Sequence, residues 1–148
     1  MESQEQKIAV LNRLREMLLR QREKFQSYLV LLENEERSIR EGDEDKIAAQ
    51  AQMESLIIAE IFSLKKVVEP LRELYQASYP QMEDSVPPLE ETLSRMQEQV
   101  AARNLRNRML LREQMADLRL EVLSLRRMPT LRSPFAAAVA PRLVDITT

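Results

Sequence analysis

Apolar residues recur at seven-residue intervals through the first forty positions: Leu11, Leu18, Phe25, Leu32 and Ile39. A companion set at Leu14, Gln21, Tyr28 and Glu35 is only half apolar. This is a heptad seam, firm on one position and leaky on the other, and it predicts a helix over about residues 2–41. Ile8, Met17, Leu29 and Leu31 widen the stripe, so the helix should face more than one partner. No Pro or Gly interrupts the pattern. At ~1.5 Å per residue the helix would run roughly 60 Å, a length that water tolerates only with a partner along the seam.

The stripe stops at Gly42, the one glycine of the chain. Glycine just past a helix end takes the left-handed conformation without steric cost. Asp43 follows as a natural N-cap. Lys46 stands where a capping box would have Glu or Gln, but Asp43, Glu44 and Asp45 all suit the positive end of a new helix. Residues 41–43 therefore read as a tight turn between antiparallel helices, in preference to one continuous helix. The second helix is expected over about 44–77, with its seam at Met53, Ile57, Glu60, Leu64, Val67, Leu71 and Leu74 and with Ile47, Ile61, Val68 and Tyr75 flanking it. Pro70 falls inside the period and is expected to kink the helix in preference to ending it. Residues 78–88, with Pro80, Pro87 and Pro88, read as a linker, one of the last two prolines suiting the opening turn of the next helix. A third helix is expected over about 89–127. Leu89, Leu93, Met96 and Val100 begin its stripe, which thins across 101–108 and resumes at Leu111, Met115, Leu118, Val122 and Leu125.

The resulting expectation is an all-α fold: an elongated antiparallel coiled-coil hairpin plus a third long helix, a helical domain over 1–128. Composition agrees, since a single glycine leaves little for β-turns and bulges. With no His and no Cys there is no imidazole base, thiolate nucleophile or soft-ligand zinc site, and one Gly excludes a phosphate-cradling loop. Catalytic residues, cofactors and metal ligands are therefore expected to be absent, and the chain reads as a non-enzyme. A net charge of −2 makes nucleic acid a poor partner. The N-terminus is polar and acidic, unlike a signal peptide, and the longest apolar run, 135–140, falls far short of the ~20 residues of a membrane span. These features read as a cytoplasmic protein without stable membrane insertion. Residues 129–148 form a proline-containing apolar tail, expected either to dock on the domain or to serve as a recognition segment.

Candidate chemistry is sparse. The run Glu33-Asn34-Glu35-Glu36 and the run 43–45 lack the alternation of a calcium loop and read as solvated helix surface or helix ends. Glu90 and Glu91 lie on different faces and suit a helix N-terminus. Arg103, Arg106, Arg108 and Arg112 form the densest basic patch; without nearby aromatics it suits acidic neighbours or a protein partner better than nucleic acid. The acidic second segment and basic third segment could complement each other. Met96, Met109, Met115 and Met128 give the third helix an adaptable apolar surface, fit for core filling or for pairing with a helix of another chain.

Three stretches together resemble the FlgN family of flagellar type III export chaperones. They are residues 31–43 before the second helix, Leu71-Arg72-Glu73-Leu74-Tyr75 before the linker, and Asn104-Leu105-Arg106-Asn107-Arg108-Met109-Leu110-Leu111. The last is similar to the spaced asparagines and paired aliphatics, N-x-x-N-x-x-L-L, of that family's final helix, which singles out Asn104, Asn107 and Leu110. The likeness spans about residues 8–127. It implies a cytoplasmic chaperone that binds hook-associated (hook–filament junction) proteins, prevents premature assembly and delivers them to the export apparatus. It also implies that clients bind the C-terminal helical part, here the stripe Leu111, Met115, Leu118, Val122 and Leu125. The alternative is a structural coiled-coil scaffold or adaptor, a homodimer held by the seam from Leu11 to Ile39.

Overall fold

The computed structural model describes residues 2–78 and 85–126, and the tail 129–148, Met128 and most of the 78–88 linker lie outside them. Among the described residues the fold is all-α: α1 spans Glu2–Glu41, α2 spans Glu44–Ser78 and α3 spans Val86–Arg126. The chain divides into two compact units, Met1–Leu110 and Leu111–Thr148.

Within the first unit, α1 and α2 form an antiparallel hairpin. Lys24 pairs with Glu60 and Tyr28 with Glu54, so partner numbers fall on one helix as they rise on the other. The turn is built as its residues dictate. The Gly42 N–H donates to the Ile39 carbonyl and the Asp43 N–H to the Ser38 carbonyl, both at 3.1 Å. These two bonds close a Schellman motif, which needs a left-handed residue, and Gly42 supplies it at φ 69°. Asp43 Oδ1 then accepts the Lys46 N–H at 3.2 Å, capping α2.

α3 runs parallel to α1. Arg15 meets Ser85, Tyr28 meets Asn104 and Leu32 meets Asn107, and the separation stays between 70 and 76 residues. α3 starts at Val86, three positions before the expected Leu89. Proline lacks only an N–H that a first turn leaves unpaired anyway, so Pro87 and Pro88 fit inside the opening turn. Fully buried Val86 anchors that end. Glu90 and Glu91 consequently stand past the first turn, where Glu90 pairs with Arg72 at 2.8 Å and Glu91 with Arg95 at 2.7 Å. Their role is ion pairing across and along helices, in place of the expected compensation of the helix dipole. Pro70 lies within α2 and does not end it.

The core lies between the three helices of this unit. Leu14, Met17, Leu18, Phe25, Tyr28 and Leu32 of α1 pack with Val68 and Tyr75 of α2 and with Val86, Leu93, Met96 and Val100 of α3. Both heptad sets of α1 point inward, the leaky one included: Gln21 and Tyr28 are buried. Each fully buried leucine contributes about 1.5–3 kcal/mol over its exposed state. On α2 the inward face differs from the expected seam. Ile57, Leu64 and Leu71 are shared, but Val68 and Tyr75 are buried while Met53, Glu60, Val67 and Leu74 face water. The inward register is Ile47, Gln50, Glu54, Ile57, Ile61, Leu64, Val68, Leu71 and Tyr75, steps of three and four throughout. Apolar residues line α2 on two sides, so apolarity alone selects neither.

Charge complementarity also runs differently from the expectation that α3 would offset α2. Arg103 reaches Glu33 at 3.3 Å and Glu36 at 3.5 Å, and Arg106 reaches Glu36 at 3.0 Å. Arg103 and Arg106 of the basic patch thus pair with the acidic run of α1, in which Glu33 and Asn34 are exposed and Glu35 and Glu36 half-buried.

Candidate functional site

α3 carries its core contacts on one register: Val86, Leu89, Leu93, Met96, Val100, Arg103, Asn107 and Leu110 are all buried or half-buried. The steps are three and four without interruption. The same register continues as Gln114, Asp117 and Glu121, which are polar. The apolar stripe instead resumes one residue later, at Leu111, Met115, Leu118, Val122 and Leu125. All five are exposed, from 36% at Leu111 to 58% at Leu118 and Leu125. Leu120 and Leu123 are exposed as well. From Leu111 to Arg126 only Gln114 is even half-buried. The last sixteen described residues of α3 therefore carry a heptad apolar stripe and no buried side chain.

The residues that the family likeness singles out do structural work in the first unit. Asn104 Nδ2 donates to the Tyr28 hydroxyl at 2.9 Å, and Asn107 Nδ2 donates to the Leu32 carbonyl at 2.9 Å. Asn107 is buried; Leu110 is half-buried. The Leu32 carbonyl lies in mid-helix, and Asn107 gives it a second donor.

Tyr28 is the hub of a polar layer joining all three helices. Its hydroxyl donates to Glu54 Oε1 at 2.7 Å while accepting from Asn104. Burial and the neighbouring carboxylates push the phenol up to about 12, with the Asn104 bond opposing them, so it stays a donor. Glu35 completes the layer. Burial, the charge of Glu54 and a hydrogen bond with Glu54 raise its carboxyl to about 7. No donor among the described residues faces Glu35 Oε2. Below about 7 the raised pKa favours the protonated acid, and a protonated carboxyl can donate where a carboxylate only accepts. Sequence reasoning passed over this layer. Its signal is the polar companion set of α1, Gln21, Tyr28 and Glu35, standing where a seam should be apolar.

A second exposed apolar stripe runs along α2 through Met53, Leu56, Val67 and Leu74, with Ile58 and Phe62 exposed elsewhere on the helix. Lys66 Nζ lies 5.0 Å from the Phe62 ring centre. These residues make α2 the most apolar helix, with a mean hydropathy of 1.2 over eighteen residues, enough by length and composition to cross a membrane. Its inward side holds Gln50 and Glu54 against other helices, and its apolarity divides between a core face and an outer face. Among the described residues no three acidic side chains converge to hold a metal ion.

The molecule is thus a helical-bundle protein whose apolar surface exceeds what its own core covers. The chain belongs to the family of an uncharacterized protein of Treponema pallidum (strain Nichols). It is 37% identical to that protein over 115 residues, covering 76% of this chain and 73% of the other. No protein-family model matches the chain, and no solved structure matches it.

Proposed function

We propose that this protein is a non-enzymatic cytoplasmic chaperone of the FlgN type, which holds hook-associated proteins before export and passes them to the type III export apparatus. The observation that carries the reading is the exposed heptad stripe from Leu111 to Leu125. A filament subunit presents amphipathic helices that would polymerise early, and a chaperone helix covers that apolar face. Burial contributes about 25 cal/mol per Å2 of apolar surface, and the methionine in the stripe keeps the contact adaptable, which suits a client that must be released. The order of the three stretches similar to that family adds to the reading. The test is co-expression with a hook–filament junction protein from the same genome. A stable complex is expected, and Leu118→Asp with Val122→Asp should abolish it. Intact binding in that double variant removes the stripe as the site.

The second reading, a coiled-coil scaffold, draws on the outer stripe of α2. Leu18, Phe25, Leu32 and Ile39 of the seam from Leu11 to Ile39 are buried within the chain, so this reading turns to the exposed residues of α2. A scaffold would self-associate through Met53, Leu56, Val67 and Leu74. Sedimentation across a concentration series would show a dimer that Leu56→Asp dissolves.

A further inference from the structure

The stripe on α3 has unlike flanks. Arg112, Arg119 and Arg126 recur every seven residues along one side, and Gln114 and Glu121 recur every seven along the other. In a heptad these are the positions that meet the partner's flanking residues and set its identity and orientation. All three arginines are exposed. None has an acidic residue three or four positions away in either direction. None has an ion pair among the described residues, whereas Arg20, Arg40 and Arg95 each pair with a glutamate four positions before them. The three charges are unanswered along an edge that a docked helix would approach.

We infer that the stripe takes a helix of a foreign polypeptide that carries a row of acidic residues, seven apart, along one edge of its apolar face, and that Arg112, Arg119 and Arg126 select and orient it. The inference rests on the reading of this stripe as the client-docking face. Three other occupants fit the charges less well. A second copy in antiparallel register would set arginine row against arginine row, and in parallel register it offers only Glu121 as an acid. The tail 129–148 contains one acid, Asp145, and three prolines. An anionic membrane favours a wide apolar face with cations on both sides, and here one side is Gln and Glu.

The test uses the full chain and three synthetic helical peptides with the same apolar seam. One carries Glu at every seventh position along one edge, one Gln and one Lys. Fluorescence anisotropy at low ionic strength should rank them Glu, Gln, Lys. Three exposed pairs should make the Glu peptide about tenfold tighter than the Gln peptide, and the ratio should fall toward one at 1 M salt, where charges more than ~3 Å apart are screened. The R112E/R119E/R126E variant should reverse the ranking, and R112Q/R119Q/R126Q should flatten it. Equal binding of the three peptides to the native chain overturns this inference and leaves the docking face intact. Binding of none, or undiminished binding to the L118D/V122D variant, removes the docking face itself. A dimer dissolved by L118D/V122D would assign the face to a second copy, and equally tight adsorption to phosphatidylglycerol vesicles would assign it to lipid. Either result overturns the inference.

Discussion

Replacing Glu35 with Gln should make the protein more stable above neutral pH and leave it nearly unchanged in mild acid. In the folded chain the Glu35 carboxyl is raised from an ordinary 4.5 to about 7 by burial and by Glu54. The folded state therefore keeps a proton that the unfolded chain releases. The contribution is fully present below about 4.5 and is lost as pH rises through about 7. For a sealed site that displacement would correspond to about 3 kcal/mol. Glu35 is only part-buried, and solvent screening brings the figure to about 1–2 kcal/mol. Gln keeps the shape of the protonated acid and can still donate to Glu54, but it carries no charge at pH 8. Urea unfolding of both proteins at pH 5 and pH 8 isolates the effect, because the remaining carboxylates titrate alike in each. The variant should gain about 1 kcal/mol on the native chain at pH 8 and only about a quarter of that at pH 5. A difference between the two proteins that is the same at both pH values would refute the shared-proton account of the layer.

Three further outcomes follow from the packing. Gly42→Ala should cost about 1–2 kcal/mol in urea unfolding, since φ is 69° although an added Cβ meets nothing within 4 Å, and Gly42→Asn should cost less. Asn107→Ala should cost about 1–3 kcal/mol, because it removes a buried donor from the Leu32 carbonyl; a thermal melt that does not move would contradict that role. Leu18→Ala should cost about 2–5 kcal/mol, whereas Leu118→Ala should leave stability within about 0.5 kcal/mol, and equal losses would mean the α3 stripe is covered.

The parts of this fold that could be read from sequence are those with one apolar side. On α1 the seven-residue repeat, the stop at Gly42 and the cap at Asp43 each had a local physical cause, and the helix and turn stand where those causes place them. α2 was legible as a helix but not as a face. Two stripes compete on it, and the one that turns inward carries Glu54, bound to Tyr28, a contact 26 residues away that no periodicity within α2 reveals. The stripe of α3 thins after Val100 because polar side chains take over the core contact. Arg103, Asn104 and Asn107 reach ionic, hydroxyl and carbonyl partners on α1, and a search for apolar residues passes over them. Beyond Leu110 the five proposed binding positions could be located by their spacing, and their exposure is a property only the folded chain could reveal.

The two-residue turn at Gly42 and Asp43 has a consequence for the order in which the chain assembles. Pairings beside it close loops of only a few residues, which takes well under a microsecond, so α1 and α2 can zip together from that end outward. α3 must instead find partners 70 to 76 residues upstream, and longer closures come later. During synthesis the hairpin can therefore be complete while the surface awaiting Val86, Leu93, Met96 and Val100 still lies open. For that interval the newborn chain displays the kind of greasy helix face that invites the wrong neighbour, and its own third helix is what ends the exposure.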